Sequence, residues 1–193
     1  MSTIAFTDSM VGLVVRGKTG PAHEPGVMQQ HADCILPGGA PIGFFGTGPA
    51  RSGGSSSASS MSSGMNMRGI VYGYLEMQSW RPWYVNVADA KAAGVVSTVL
   101  TVNVGAAVAL KFADYWSRLI GKPGGFNLLG NNCSTHASDA FIYAGILKGG
   151  IPGLDTPNNL YRQLVGVMAG ATASYSGYVG FSPHGPGYDV LVE

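Results

Sequence analysis

Cys133 stands directly after Gly130-Asn131-Asn132 and directly before Ser134-Thr135-His136-Ala137. A glycine followed by two asparagines makes a tight turn, and asparagine is among the strongest helix N-cap residues. The spacing predicts a helix that opens at residue 132 with a thiol in its first turn. Unpaired backbone N–H groups and the positive end of the helix dipole converge there and favour the thiolate, the nucleophilic form of cysteine. The same N–H groups, together with Asn131 or Asn132, are placed to donate to an oxyanion forming on an attacked carbonyl. The plain alternative is a small buried residue that packs the helix on a sheet. The Asn-Asn turn favours the chemical reading over it.

A thiol used this way needs a base, and the chain offers His23, His31, His136 and His184. His136 lies one turn after Cys133, from where an imidazole does not easily aim back at the thiol. His23 and His184 sit in turns rich in glycine or proline. His31 falls in a strand predicted over 28–37, where the backbone fixes its direction, and it is the preferred base. Alternation puts His31 and Asp33 on one face of that strand and Ala32 and Cys34 on the other. If His31 faces Cys133, Cys34 faces away, and a Cys34–Cys133 disulfide is not expected. The group that orients the imidazole stays open between Asp33 on the same strand, Glu76 or Gln78 on a later one, and His136 or Asp139 on the cysteine helix. Two cysteines are too few for a structural zinc site, and neither a metal nor a cofactor is expected.

The elements that must position these groups are legible in outline. Residues 11–16, 28–37 and 41–45 read as strands, separated by glycine-rich turns. From 46 to 65 the text becomes glycine and serine, which cannot bury enough apolar area to offset ordering entropy, so a mobile loop is expected there. Strand patterns resume at 69–77, 83–87 and 95–104, the last alternating Val96, Thr98, Leu100 and Val102 against Ser97, Val99, Thr101 and Asn103. Over 105–120 the period lengthens. Ala106, Leu110, Ala113, Tyr115 and Leu119 form an expected apolar helix face, with Lys111, Asp114 and Arg118 outside. The cysteine helix is predicted over 132–147. Thr156-Pro157, a capping residue before a first-turn proline, signals another helix. The tail from 170 reads as one more strand or an irregular wrap.

Composition narrows the function classes. With 193 residues the chain is expected to form one domain. Its net charge is +1 and only 11 % of its residues are charged, so no basic field recruits nucleic acid. Gly17-Lys18-Thr19 lacks the preceding glycine spacing of a phosphate-binding loop. The apolar window 93–112 reaches membrane-span length, but its serines, threonines and alternation favour a strand, and no membrane partner is expected. Residues 1–10 lack a basic stretch followed by an apolar core. A cleavable secretory signal is therefore not expected, leaving the cytoplasm of the producing cell or export by a signal-independent system.

An early strand bearing His31, further strands, and then Asn132-Cys133-x-x-His136-x-x-x-Ala140 resembles the permuted papain-like group. That group includes NlpC-type peptidase relatives and lecithin:retinol acyltransferase-like proteins. In papain the cysteine helix precedes the histidine strand; here the order is reversed. The likeness spans roughly 28–164 and is strongest over 126–146. Tyr161-Arg162-Gln163-Leu164 also looks like the segment after the cysteine helix in bacterial members, some of them toxins or effectors. Asn132-Cys133 departs from the acyltransferase branch in one respect, its histidine lying one residue further on. The resemblance implies a single α+β papain-like domain, an antiparallel sheet packed on a cysteine-bearing helix. It further implies a cysteine amidase or peptidase that forms a thioester on Cys133 with His31 as base. A peptide or amide substrate would go with this, and an inhibitor, immunity protein or secretion carrier as protein partner. A lipid acyltransferase or thioesterase of the same fold, and a non-catalytic binding module, are the alternatives.

Overall fold

The computed structural model describes residues 1–26, 30–47, 67–127, 131–149 and 156–193. The fold is α+β, dominated by a large antiparallel sheet. Its strands are β1 (Ser2–Ala5), β2 (Met10–Arg16), β3 (His31–Ile35), β4 (Pro41–Gly46), β5 (Met67–Tyr72), β6 (Val96–Asn103), β7 (Gly125–Phe126), β8 (Thr172–His184) and β9 (Gly187–Val192). The helices are α1 (Tyr74–Trp80), α2 (Val87–Ala92), α3 (Ala106–Gly121), α4 (Cys133–Tyr143) and α5 (Pro157–Val167). The strands run in the order β1-β9-β8-β6-β2-β3-β4-β5-β7.

β2 lies near the middle because it is apolar on both faces. Val11, Leu13 and Val15 turn toward α3, α4 and α5, and Val14 turns toward the opposite core with Phe45, Tyr84 and Val99. Gly12 lets Phe6 and Ile35 close in, since a Cβ there would lie about 3 Å from both side chains. β8 serves two neighbours: 172–178 pair with β6 and 179–184 with β9. The crossing point is Gly177, where a Cβ would come within 2.3 Å of the Glu193 carbonyl oxygen.

Several expected elements change type. The alternation that begins β5 stops at Tyr72, because Gly73 opens α1 and the Glu76 carboxylate accepts its N–H at 3.0 Å. Glu76 and Gln78 are therefore helical, not strand, residues. Pro82 starts a 3-10 turn at Pro82–Tyr84, and Asn86 caps α2 by accepting from Ala88 and Asp89. On α3 the buried stripe is Ala109, Phe112 and Trp116, while Leu110 is 67 % exposed. The two bulky aromatics at i and i+4 take the core, and Leu110 falls outside their face. β1 and β7, which the pattern does not announce, close the two edges. The glycine- and serine-rich stretch from 48 to 65, and residues 28 and 29 of the expected second strand, lie outside the described residues.

The apolar window 93–112 is divided between β6 and α3. Among the described residues no helix is long and apolar enough to cross a membrane.

Candidate active site

α4 begins where its capping sequence places it. Asn132 Oδ1 accepts from the backbone N–H groups of Ser134 at 3.0 Å and Thr135 at 3.1 Å, and Thr135 Oγ1 accepts from Asn132 N at 3.5 Å. This reciprocal cap fixes the first turn. Cys133 is its first residue, 8 % exposed. Among the described residues no acceptor takes the Cys133 N–H.

α4 packs across β3, and Cys133 Sγ accepts the Ala32 N–H at 3.5 Å. That amide is available because β3–β4 pairing begins only at Asp33↔Gly43, one residue further along. Alternation predicts that Cys133 and Cys34 face apart. Instead both belong to the core on the helical side of the sheet, while the His31 ring lies among the aromatics of the other side. His31 is the first residue of β3, next to Ala32, and at the strand's end its imidazole and the sulfur lie close enough for each to favour the other's charged form. Both cysteines are free thiols.

The His31 ring is held in place on several sides. It stacks between Phe45, with centroids 4.5 Å apart, and Tyr84, at 5.4 Å. Its Nε2 lies 2.7 Å from Asp33 Oδ1, which leaves Nδ1 as the nitrogen for the sulfur. Same-face strand positions are spaced too widely for such a contact between upright side chains, but the ring leans along the strand and spans the gap. Asp33 is fully buried, and its Oδ2 accepts from Arg16 Nε at 2.8 Å. Arg16 also donates through Nη2 to the Tyr84 carbonyl at 2.9 Å and lies over the Tyr84 ring.

Strand register explains this arrangement. β2 pairs with β3 so that Arg16 is opposite His31 and Val14 opposite Asp33. Arg16 is thus the diagonal neighbour of Asp33 on one face. On the far side Gly43 makes room, since a Cβ there would sit 2.3 Å from Asp33 Oδ1. Arg16 is absent from the candidates that the sequence suggests. Its only signal is a charged residue ending a run of apolar β-branched ones, which is more often a solvated strand end.

Electrostatics bind the groups into one unit. Burial pushes the Cys133 thiol up, but the His31 imidazolium, by its charge and its hydrogen bond, and the Ala32 N–H bring it below its ordinary value. Burial works against charge on His31 too, yet the Cys133 thiolate and the Asp33 carboxylate hold its pKa well above the usual imidazole value. For Asp33, burial opposes ionisation and is outweighed by His31 and then Arg16, so the carboxyl stays below the usual range. Among the described residues Cys34 has no imidazolium beside it. Burial first, then the charges of Asp33 and Cys133, push its thiol well up.

The remaining sequence candidates lie elsewhere. Asn131 Nδ2 donates to the Gly125 carbonyl, and its backbone bridges to Asn127, so it braces the turn before the helix. Asn132 Oδ1 is spent on the cap. His136 packs on Phe44 at 4.1 Å between ring centroids, and its Nδ1 pairs with the Tyr115 hydroxyl at 2.8 Å. Tyr115 also hydrogen-bonds Asp139, which places both helix candidates for the third group in this second cluster. His23 accepts the Thr19 N–H at 3.2 Å through Nδ1, and His184 ends β8 in the hairpin to β9. Among the described residues no three His, Cys, Asp or Glu side chains gather as a metal site requires.

His136 supplies an acid-stability prediction. Burial lowers its pKa to about 4. An unfolded histidine protonates near 6.5, so the stability tied to neutral His136 is complete above that value and is lost as pH falls toward 4. His136→Gln is expected to flatten the acid side of a urea-midpoint profile between pH 6.5 and 4. An unaltered slope in that variant would assign the acid loss to other groups.

No protein-family model, curated protein or solved structure matches the chain.

Proposed function

We propose that the chain is a cysteine hydrolase, an amidase or peptidase, built as a permuted papain-like domain. The observation that carries this reading is the seating of Cys133 Sγ on the Ala32 N–H, next to His31, whose Nε2 lies 2.7 Å from Asp33 Oδ1. A helix-start sulfur, an imidazole from the sheet and a carboxylate behind it are the three roles that thiol acyl transfer needs. The order along the chain, His31 before Cys133, is that of the permuted branch.

In the proposed reaction Cys133 Sγ attacks the acyl carbon of an amide, and the tetrahedral oxyanion forms beside the Cys133 N–H. Collapse breaks the C–N bond, and the imidazolium of His31 protonates the departing amine. The acyl group remains as a thioester. Neutral His31 then removes a proton from water, which attacks the thioester and releases the acid and the thiolate. Asp33 keeps Nε2 occupied, so Nδ1 stays turned to the reacting atoms. A cell-wall peptide or a protein side chain is the acyl donor that the likeness to bacterial effectors suggests.

The lipid reading has weaker support. It would need aromatics free to touch lipid, and of Trp80, Trp83 and Tyr84, Tyr84 is buried against His31, Trp83 is half-buried and Trp80 alone is exposed.

Alkylation tests the reading directly. Iodoacetamide at pH 6 is expected to label Cys133 faster than a free small thiol, because an ordinary thiol is almost wholly protonated there and the Cys133 thiol is lowered. Cys34 in the same molecule should stay unlabelled by peptide mass mapping. A Cys133 rate no greater than that of the free thiol would refute the activated sulfur.

A further inference from the structure

Two arginines are buried beside the same aromatic cluster, and they are treated differently. Arg16, 2 % exposed, has Asp33 and the Tyr84 carbonyl as acceptors. Arg81, 5 % exposed, has neither a carboxylate nor a carbonyl: Nε and Nη1 are sealed from solvent without an acceptor, and its side chain makes no hydrogen bond to any described residue. Its guanidinium lies over the Phe45 ring, with Cζ 4.7 Å from the centroid. Phe45 is the ring that stacks on His31.

A cation–π contact returns less than the cost of burying an unpaired ion. The face of Phe45 alone therefore does not balance this guanidinium, and an anion is the missing partner. α1 ends at Arg81 and the 3-10 turn begins there, with Tyr84 N donating to the Arg81 carbonyl at 2.9 Å. The backbone thus holds Arg81 and Tyr84 together, with Tyr84 against one side of the His31 ring.

We propose that Arg81 binds a carboxylate of the substrate, so that the chain selects amides or peptides with an acidic group flanking the scissile bond. The proposal rests on the reading of Cys133 and His31 as the reacting pair. A charged hydrogen bond from a guanidinium suits a carboxylate, and with Nε and Nη1 sealed from solvent, Nη2 is the nitrogen that would meet it. One aromatic ring, Phe45, lies between the guanidinium and His31. Arg81 is a specificity residue and takes no part in the bond changes.

Charge selectivity of alkylation tests this in the full chain. The probes are iodoacetate and iodoacetamide, which differ by one carboxylate, with N-acetylcysteine as the reference thiol. The ratio of the iodoacetate to the iodoacetamide rate at Cys133 should exceed that of the reference by roughly tenfold, the effect of one favourable charge contact at short range. Arg81→Met should bring that ratio down toward the reference, and Arg81→Lys should retain part of it. Glutarate should also protect wild-type Cys133 from iodoacetamide, a readout that does not depend on the variants folding. A reference-like ratio in the wild type, an undiminished ratio in Arg81→Met, or no protection by glutarate would overturn the assignment. Better protection by inorganic phosphate than by glutarate would overturn the carboxylate specificity. If Cys133 ignores iodoacetamide altogether, the reacting pair falls and this inference with it; fast labelling without charge preference removes only the role of Arg81.

Discussion

Asp33→Ala is expected to lower the free energy of unfolding by about 3–5 kcal/mol, the usual penalty for breaking a buried ion pair by removing one partner. The carboxylate is fully buried, and each of its oxygens has a charged partner, His31 on Oδ1 and Arg16 on Oδ2. Truncation removes the acceptor of Arg16 Nε and the partner of His31 Nε2 and leaves both facing a cavity. Urea unfolding at pH 7 measures the loss. Arg16→Met added to Asp33→Ala should recover part of it, because it removes the orphaned charge while keeping the apolar stem. The two substitutions are in direct contact, so their effects should not add. The pH dependence has a defined sign. Asp33 is held below the usual carboxylate range, so its contribution is complete above about 4 and lost as pH falls through the lower folded-state value. A loss under 1 kcal/mol in Asp33→Ala would mean that the buried network does not hold the sheet at this end.

That network shows where the sequence can be read and where it cannot. The cap at Asn132 and the thiol at Cys133 are legible because N-capping is local: three consecutive residues specify the turn, and the side-chain oxygen has only nearby N–H groups to choose from. β6 is legible from alternation, and α5 from Thr156 before Pro157, whose hydroxyl accepts the Asn159 N–H at 3.2 Å. His31 falls on a strand for the same local reason. Its contact with Asp33 is hidden because strand spacing describes the backbone, not a ring leaning along it.

Arg16 belongs to a different class of information. Its meeting with Asp33 depends on the β2–β3 register, which couples residues 17 positions apart in the sequence. Nothing in either strand alone specifies which residue faces which. The segment after β5, a strand by its pattern and a helix in the fold, has a similar origin. The alternation of Ile70, Tyr72 and Tyr74 continues through Gly73, but Glu76 reaches back to the Gly73 N–H and turns the chain into a helix. A strand pattern and a capping box overlap there, and the cap prevails. The consequence for the site is direct. α1 and the turn after it, not a strand, deliver Arg81 and Tyr84 to the aromatic cluster around His31.

His31→Gln is expected to reduce thiol reactivity and any amide turnover by about 10²–10⁴-fold, the range for removing a general acid–base group. The cause is the coupled titration of the pair. With His31 present, Cys133 ionises below its ordinary value and His31 stays protonated well above its own, each charge sustaining the other. The imidazolium–thiolate form therefore exists between the two values, and these belong to the pair, not to either residue singly. His31 contributes stability below the ordinary imidazole value and loses it as pH rises through its raised folded-state value. Cys133 contributes above the ordinary thiol value and loses it as pH falls through its lowered one. The rate of Cys133 alkylation against pH should rise on an acid limb below the pKa of a free thiol. In His31→Gln that limb should move to the alkaline side of about 9, because burial then acts on the thiol without the imidazolium to oppose it. Cys133→Ala should remove turnover entirely and keep the wild-type far-ultraviolet dichroism, since an 8 % exposed cysteine in the first turn of α4 contributes only a small sulfur to the core. An acid limb that stays in place when His31 becomes glutamine would show that the helix start and the Ala32 N–H alone set the thiolate, and the imidazole would then have no part in activating it.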